Sequence, residues 1–144
     1  MEVNNILVVC TGNICRSPMA KALLQICYPQ KRIDSAGLAA VVGHPIQSEA
    51  VEVMTAAQID IDRHCAKQIT KDMAVAADLI LTMTSKQTKW IESKWPYCRG
   101  KTFRLGHWNN KDINDPYGHN LAAFKTAYQD IADSLGYWQN KLAD

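Results

Sequence analysis

Near the N-terminus, Cys10-Thr11-Gly12-Asn13-Ile14-Cys15-Arg16-Ser17 sets a thiol, two residue types that tolerate positive φ, and a guanidinium on one short stretch of chain. The residues before it, Asn5 to Cys10, form an apolar run rich in valine and isoleucine, which reads as a strand buried on both faces. A loop passing from such a strand into a helix turns successive N–H groups inward, and the helix dipole adds about half a positive charge there. Gly12 and Asn13 allow those N–H groups to wrap around the oxygens of a phosphate-like anion. Arg16 adds a permanent charge with a planar fork that grips two oxygens together. Thiols at helix N-termini beside cations ionise at roughly 3.5 to 7.5, against about 8.5 for a free thiol. The chemistry expected is attack of the Cys10 sulfur on phosphorus, giving a phosphocysteine that water hydrolyses. The amides and Arg16 neutralise the developing charge, so the scheme calls for no metal or other cofactor. Ser17 suits two roles: N-cap of the next helix, with Pro18 at its first position, and donor to the Cys10 sulfur as it leaves. The bland reading of Cys10 is a buried strand-end cysteine, but the Gly-Asn pair and the arginine at their spacings favour the nucleophile.

A phosphate ester leaves poorly unless its oxygen is protonated, so a general acid is expected opposite the cradle, worth roughly 10² to 10⁴ in rate. The longest irregular stretch, residues 106–119, carries two candidates, Asp112 and Asp115. Asp115 precedes Pro116, which holds its backbone extended and fixes the direction of the side chain. Asp115 is therefore the expected acid, with an ordinary Asp-Pro turn as its bland alternative.

These residues need a scaffold, and the pattern along the chain supplies one. Ala20, Leu23, Leu24 and Cys27 recur at helical spacing, and Tyr28-Pro29 ends that helix. A short strand at Arg32 to Ser35, a helix over Ser48 to Ala57, a buried strand at Asp78 to Met83, a helix from Ser85 to Trp95 and a strand at Thr102 to Leu105 follow. Leu121, Phe124, Tyr128, Ile131, Leu135, Trp138 and Leu142 then form one apolar helical stripe. The alternation predicts an α/β fold with a parallel sheet whose ligand sits beyond the carboxyl ends of the strands, where Cys10 lies. With 144 residues and no repeat or linker, a single domain over residues 1–144 is expected.

A net charge of +2 from 16 basic and 14 acidic residues is too small and dispersed for a nucleic-acid or membrane surface. The opening residues lack a basic leader and no run approaches the roughly 20 apolar residues of a membrane span, so a cytoplasmic protein is expected. Five cysteines without paired spacing read as reduced thiols, and none has the CxxC spacing of a zinc site.

Cys10-X5-Arg16-Ser17 near one end and Asp115-Pro116-Tyr117 near the other resemble the low-molecular-weight protein tyrosine phosphatases. Asp34-Ser35-Ala36-Gly37, His64-Cys65-Ala66-Lys67-Gln68-Ile69 and Asp78-Leu79-Ile80-Leu81-Thr82-Met83 match that family in order and spacing. The resemblance implies a three-layer domain with a four-stranded parallel sheet flanked by helices. It implies Cys10 as nucleophile, Arg16 as phosphate ligand and Asp115 as acid, then base. It also implies that Asn13, Ser35 and His64 hold the phosphate loop in shape, and that Cys15 protects Cys10 through a reversible disulfide, packing being the alternative for Cys15. Ile14, Leu38 and Tyr117 are expected to shape an apolar pocket mouth suited to a phenyl ester. Leu38-Ala39-Ala40 and Gly106-His107-Trp108 look most like bacterial members paired with membrane tyrosine autokinases of polysaccharide export, which would make such a kinase the phosphotyrosine substrate. Either a monomer or a weak dimer is compatible with the sequence.

Three rival readings share parts of this pattern. A thioredoxin-coupled arsenate reductase shares the Cys-X5-Arg loop but needs two closely spaced relay cysteines, and Cys65 and Cys98 are far apart. A protein-arginine phosphatase is expected to carry threonine where Ile14 stands. A silent phosphotyrosine-binding module has no use for Cys10, Arg16 and Asp115 together.

Overall fold

The computed structural model describes residues 2–61 and 63–142. Strand β1 (Asn5–Cys10) lies between β2 (Arg32–Gly37) and β3 (Leu79–Thr82), and β4 (Thr102–Arg104) pairs with the far side of β3. All three pairings are parallel, giving the order β2-β1-β3-β4. Parallel neighbours require crossovers, and the helices α1 (Arg16–Cys27), α2 (Ser48–Ala56), α3 (Lys71–Ala76), α4 (Ser85–Lys94) and α5 (Leu121–Leu142) supply them and close the chain.

The apolar run of β1 divides between the two faces as strand geometry demands. Ile6, Val8 and Cys10 join Met19, Leu24, Met54, Phe124 and Ile131 in the core beneath α1, α2 and α5. Leu7 and Val9 point the other way, onto Ile80, Ile91, Trp95 and Cys98. Burial of each such side chain contributes about 1.5–3 kcal/mol, which is why β1 tolerates almost no polar residue. The stripe on α5 is core, as its spacing indicates: Phe124, Ile131, Trp138 and Leu142 are buried, and the Trp138 indole donates to the Leu105 carbonyl at 2.7 Å.

Two short elements escape the periodicity reading, α3 and a 3-10 turn at Pro96–Cys98. Both are too short to show an apolar repeat; α3 is announced only by its N-cap, Thr70, whose side chain accepts from the Met73 N–H. The start of α1 also corrects an expectation. The helix begins at Arg16 with Cys15 at the N-cap, so Ser17 lies inside its first turn and caps nothing.

From β1 the chain crosses to β2 on one side and then, from β2, back over to β3 on the other, which puts a crevice at the carboxyl end of β1. Two glycines let chains crowd that end. A Cβ on Gly37 would stand 2.6 Å from the Thr11 carbonyl oxygen, and one on Gly106 would collide with the Lys111 carbonyl oxygen. The first lets β2 end against the loop after β1. The second closes the base of the segment that carries Asp115.

Candidate active site

The loop from Cys10 to Arg16 is held by its carbonyls. Those of Cys10, Thr11 and Gly12 accept from the N–H groups of Leu38, Ala39 and Val41 at 2.9, 3.0 and 3.0 Å. The Asn13 carbonyl accepts from His64 Nε2 at 2.5 Å, that of Ile14 from Gln47 N–H at 2.7 Å, and that of Cys15 from Met19 N–H at 3.1 Å. In a planar trans peptide the next N–H points opposite to the carbonyl. With the carbonyls of residues 10–15 engaged on the outside, the N–H groups of residues 11–16 face the inside, as an oxyanion cradle requires.

Asn13 makes the tight part of the turn. Its φ of 59° lies in the left-handed region, a conformation asparagine adopts more readily than most residues. Its buried carboxamide is fully used: Nδ2 donates to Ser17 Oγ at 2.8 Å and to Ser35 Oγ at 3.1 Å, and Oδ1 accepts from the Lys67 N–H at 3.0 Å. Because Ser17 Oγ already accepts from Asn13, its own hydrogen is left for Cys10 Sγ, 3.0 Å away. The Asn13 N–H reaches the same sulfur at 3.3 Å. Two donors thus converge on the thiol.

Arg16 is 3 % exposed, and its fork spans the two loops of the site. Nη1 donates to the Ile113 carbonyl at 2.9 Å and Nη2 lies 3.6 Å from Asp115 Oδ2. Nε is buried and finds no partner among the protein atoms. An orphaned donor on a buried cation is costly in itself, and it is the complement of an anionic oxygen.

Asp115 is 49 % exposed and accepts the Tyr117 N–H at 3.1 Å, so the turn around Pro116 aims its carboxylate back toward Arg16. Asp112, the other candidate, is engaged elsewhere: its Oδ1 takes Arg104 Nη1 at 3.0 Å and the Ser85 N–H at 3.1 Å. Cys15 is buried, and its thiol is pushed up to about 12, first by burial and then by the charges of Cys10 and Asp115. It stays a thiol and points at Asp115 Oδ1, 3.8 Å away. His64 faces a carbonyl oxygen, so its proton sits on Nε2. Burial holds its basicity below the ordinary imidazole value, with Lys21 and Lys67 acting in the same direction against the Asn13 hydrogen bond and Asp34.

Of the expected rim residues, Ile14 is buried over Gly12, where an added Cβ would touch its Cγ1 at 3.4 Å. Leu38 is half-buried with its carbonyl held by Gln68 Nε2 at 2.7 Å, and Tyr117 is 58 % exposed. A cavity of about 860 Å³ does not cover the cradle. It lies behind it, between α1 and the segment around residues 60–67, and shares Ser35 and His64 with the loop's supports.

Hydrogen bonds join Cys10, Asn13, Ser17, Ser35 and His64 in one group, and Arg16 and Cys15 meet Asp115 in another. Sequence reasoning missed the Lys67 N–H and the Ile113 carbonyl, which no side-chain identity announces. It also missed Gln87, whose Nε2 donates to Thr11 Oγ1 at 3.2 Å. The Thr84-x-x-Gln87 spacing of a capping box was the available signal there.

The family model for low molecular weight phosphotyrosine protein phosphatase matches residues 5–144. A low molecular weight protein-tyrosine-phosphatase, Ptp, of Acinetobacter johnsonii is 50 % identical over 142 residues, which is 99 % of this chain and 100 % of that protein. The crystal structure of the tyrosine phosphatase Wzb from Escherichia coli K30 in complex with sulphate superposes with a TM-score of 0.94 at 37 % identity, covering 98 % of this chain and 99 % of that one. The YwlE arginine phosphatase from Geobacillus stearothermophilus gives a TM-score of 0.90 at 33 % identity, over 96 % and 92 % of the two chains.

Proposed function

The chain belongs to the low molecular weight phosphotyrosine protein phosphatase family, and on that footing we propose that it hydrolyses phosphotyrosine in proteins through a phosphocysteine on Cys10. The observation that carries the mechanism is the pairing of a sulfur receiving two hydrogen bonds with an inward ring of N–H groups and the unpartnered Arg16 Nε. The N–H groups of residues 11–16 and Arg16 take the phosphoryl oxygens. Cys10 Sγ attacks phosphorus, the phosphorus–oxygen bond to the tyrosyl group breaks, and Asp115 protonates the departing phenolate. Asp115, now a carboxylate, accepts a proton from water as that water attacks the phosphocysteine. The sulfur–phosphorus bond breaks, the Ser17 hydroxyl stabilises the leaving thiolate, and inorganic phosphate departs. Ser35 and His64 act through Asn13 by keeping the loop in its left-handed turn.

Leu38, Ile14 and Tyr117 form the mouth of the pocket, and a phenyl ring is the leaving group that such a rim accommodates. The Acinetobacter and Escherichia relatives carry tyrosine-phosphatase names, and the apolar Ile14 supports tyrosine over arginine here. The physiological substrate in this reading is a membrane tyrosine autokinase of polysaccharide export, met at its cytoplasmic side, and residues 1–144 act as one catalytic domain. Among the described residues no helix is long and apolar enough to cross a membrane. Turnover of matched phosphotyrosine, phosphoserine and phosphoarginine peptides tests the substrate class. Phosphotyrosine is expected to exceed the other two by at least about 10²-fold in kcat/KM, and a preference for phosphoarginine would overturn the assignment.

A further inference from the structure

Gln87 stands on the first turn of α4, and a local role accounts for only part of what it does. Its N–H donates to Thr84 Oγ1 at 3.3 Å and its Oε1 accepts the Thr84 N–H at 3.2 Å, the reciprocal pair of a capping box. Glutamate would serve that box equally well. The carboxamide does more: Oε1 also takes the Met83 N–H at 2.8 Å, and Nε2, a donor that glutamate lacks, reaches Thr11 Oγ1 at 3.2 Å across 76 residues of sequence. Gln87 is 6 % exposed, so water does not readily replace a partner lost here.

The same short segment carries the acid loop. The Met83 carbonyl accepts the Ile113 N–H at 2.8 Å, and the Ser85 N–H donates to Asp112 Oδ1 at 3.1 Å. Asp115 follows Ile113 by two residues, and Thr11 directly follows Cys10. The stretch from Met83 to Gln87 therefore touches the phosphate loop at one end and the acid loop at the other.

We propose that Gln87 is a positioning residue that fixes the span between Cys10 and Asp115, by tying Thr11 to the segment from which the acid loop hangs. The proposal rests on the nucleophile and acid roles assigned above. Protonation of the departing oxygen in step with attack by sulfur needs both groups in line with phosphorus, and a misplacement of about 1 Å costs up to about 10²-fold. The Arg16 bond to the Ile113 carbonyl is a second tie between the same loops, so loss of the Gln87 tie weakens turnover without abolishing it.

The test compares wild type, Thr11→Val, Gln87→Met and the double variant on phenyl phosphate and on para-nitrophenyl phosphate. Thr11→Val removes the hydroxyl, keeps the side-chain shape and leaves the capping box whole. It is expected to lower kcat on phenyl phosphate about 5- to 20-fold with KM and melting temperature nearly unchanged. The loss on para-nitrophenyl phosphate should be smaller, since that leaving group needs the acid less. Thr11→Ser returns the hydroxyl and should recover the loss. The double variant should fall no further than Gln87→Met alone, because both substitutions break one tie. Wild-type kcat in Thr11→Val, or losses in the two single variants that simply multiply, overturn the proposal. Thr11 is exposed, so its variant keeps the test standing even where Gln87→Met fails to fold. Rapid quench of the wild type separates the two levels: absence of a phosphocysteine overturns the role of Cys10 itself, whatever the variants do.

Discussion

Arg16 donates to the backbone carbonyl of Ile113 at 2.9 Å, across 97 residues of sequence, and so joins the loop from Cys10 to Arg16 to the loop that carries Asp115. The bond uses one nitrogen of the fork, a second faces Asp115, and the third is free for an oxyanion. Arg16→Lys retains the charge but has one nitrogen to divide among three tasks. It is expected to lower kcat by about 10²–10³-fold, with a smaller change in KM, because the fork matters most when charge moves onto the equatorial oxygens. Steady-state kinetics on phosphotyrosine peptide checks this, and a lysine variant within about 3-fold of wild type contradicts it.

Asp115 is the only one of the two loop carboxylates whose oxygens face Arg16 and Cys15. Asp115→Asn should therefore lose about 10²–10⁴-fold on phenyl phosphate and distinctly less on para-nitrophenyl phosphate. Asp112→Asn keeps the Oδ1 acceptor but takes the charge off the contacts with Arg104 and the start of α4, and should show as a lower melting temperature rather than as dependence on the leaving group. Equal losses on both esters in Asp115→Asn would remove it from the role of acid.

His64 is held neutral in the folded state, chiefly by burial, with Lys21 and Lys67 adding to the effect. Its ordinary value is near 6.5, so in acid the unfolded chain takes up a proton before the folded one does. Its contribution to stability is complete above pH 6.5 and declines as the pH falls below that value. His64→Gln keeps an N–H to offer the Asn13 carbonyl and does not titrate. Urea midpoints from pH 7.5 to 5.5 should fall more steeply for wild type than for His64→Gln, and parallel curves would show that the imidazole is not the group responsible.

Cys15 bears on oxidation. Capture of a Cys10 sulfenic acid as a disulfide requires the Cys15 thiolate, and burial, the largest cause, together with the Asp115 charge still holds that thiol above its ordinary value once Cys10 is oxidised. The thiolate fraction then rises about tenfold per pH unit between pH 7 and 9 without levelling off. After mild peroxide, mass spectrometry should find the Cys10–Cys15 crosslink gaining on the Cys10 sulfinic acid throughout that range. A ratio that levels off below pH 9, or no crosslink at any pH, contradicts this account of Cys15.

What could be read from the sequence was what depends on contiguous residues. The phosphate loop is one run of chain, the long stripe on α5 repeats at helical spacing, and β1 announces its burial with valine and isoleucine. The place of Asp115 beside Arg16 was legible because Pro116 follows it and because the expected chemistry called for a carboxyl there. The illegible parts are contacts made by groups that every residue possesses. The Lys67 N–H on Asn13 and the Ile113 carbonyl under Arg16 would be the same with other side chains. Ser17 was ambiguous for a different reason: a serine at a helix start suits capping and thiolate binding alike. The start of α1 at Arg16 removes Ser17 from the cap, and Asn13, which uses the serine oxygen as an acceptor, leaves its hydrogen for Cys10 Sγ. Gln87 went unread in the sequence: its Thr84-x-x-Gln87 spacing marks a capping box, and nothing in that spacing points to the further bond with Thr11.

Cys10 stands at the centre of the account, and turnover of a phosphotyrosine peptide by Cys10→Ser tests it most directly. The variant is expected to lose detectable hydrolysis while still binding inorganic phosphate, because the N–H groups of residues 11–16 and Arg16 remain in place. Hydrolysis at the wild-type rate by Cys10→Ser would contradict the mechanism outright.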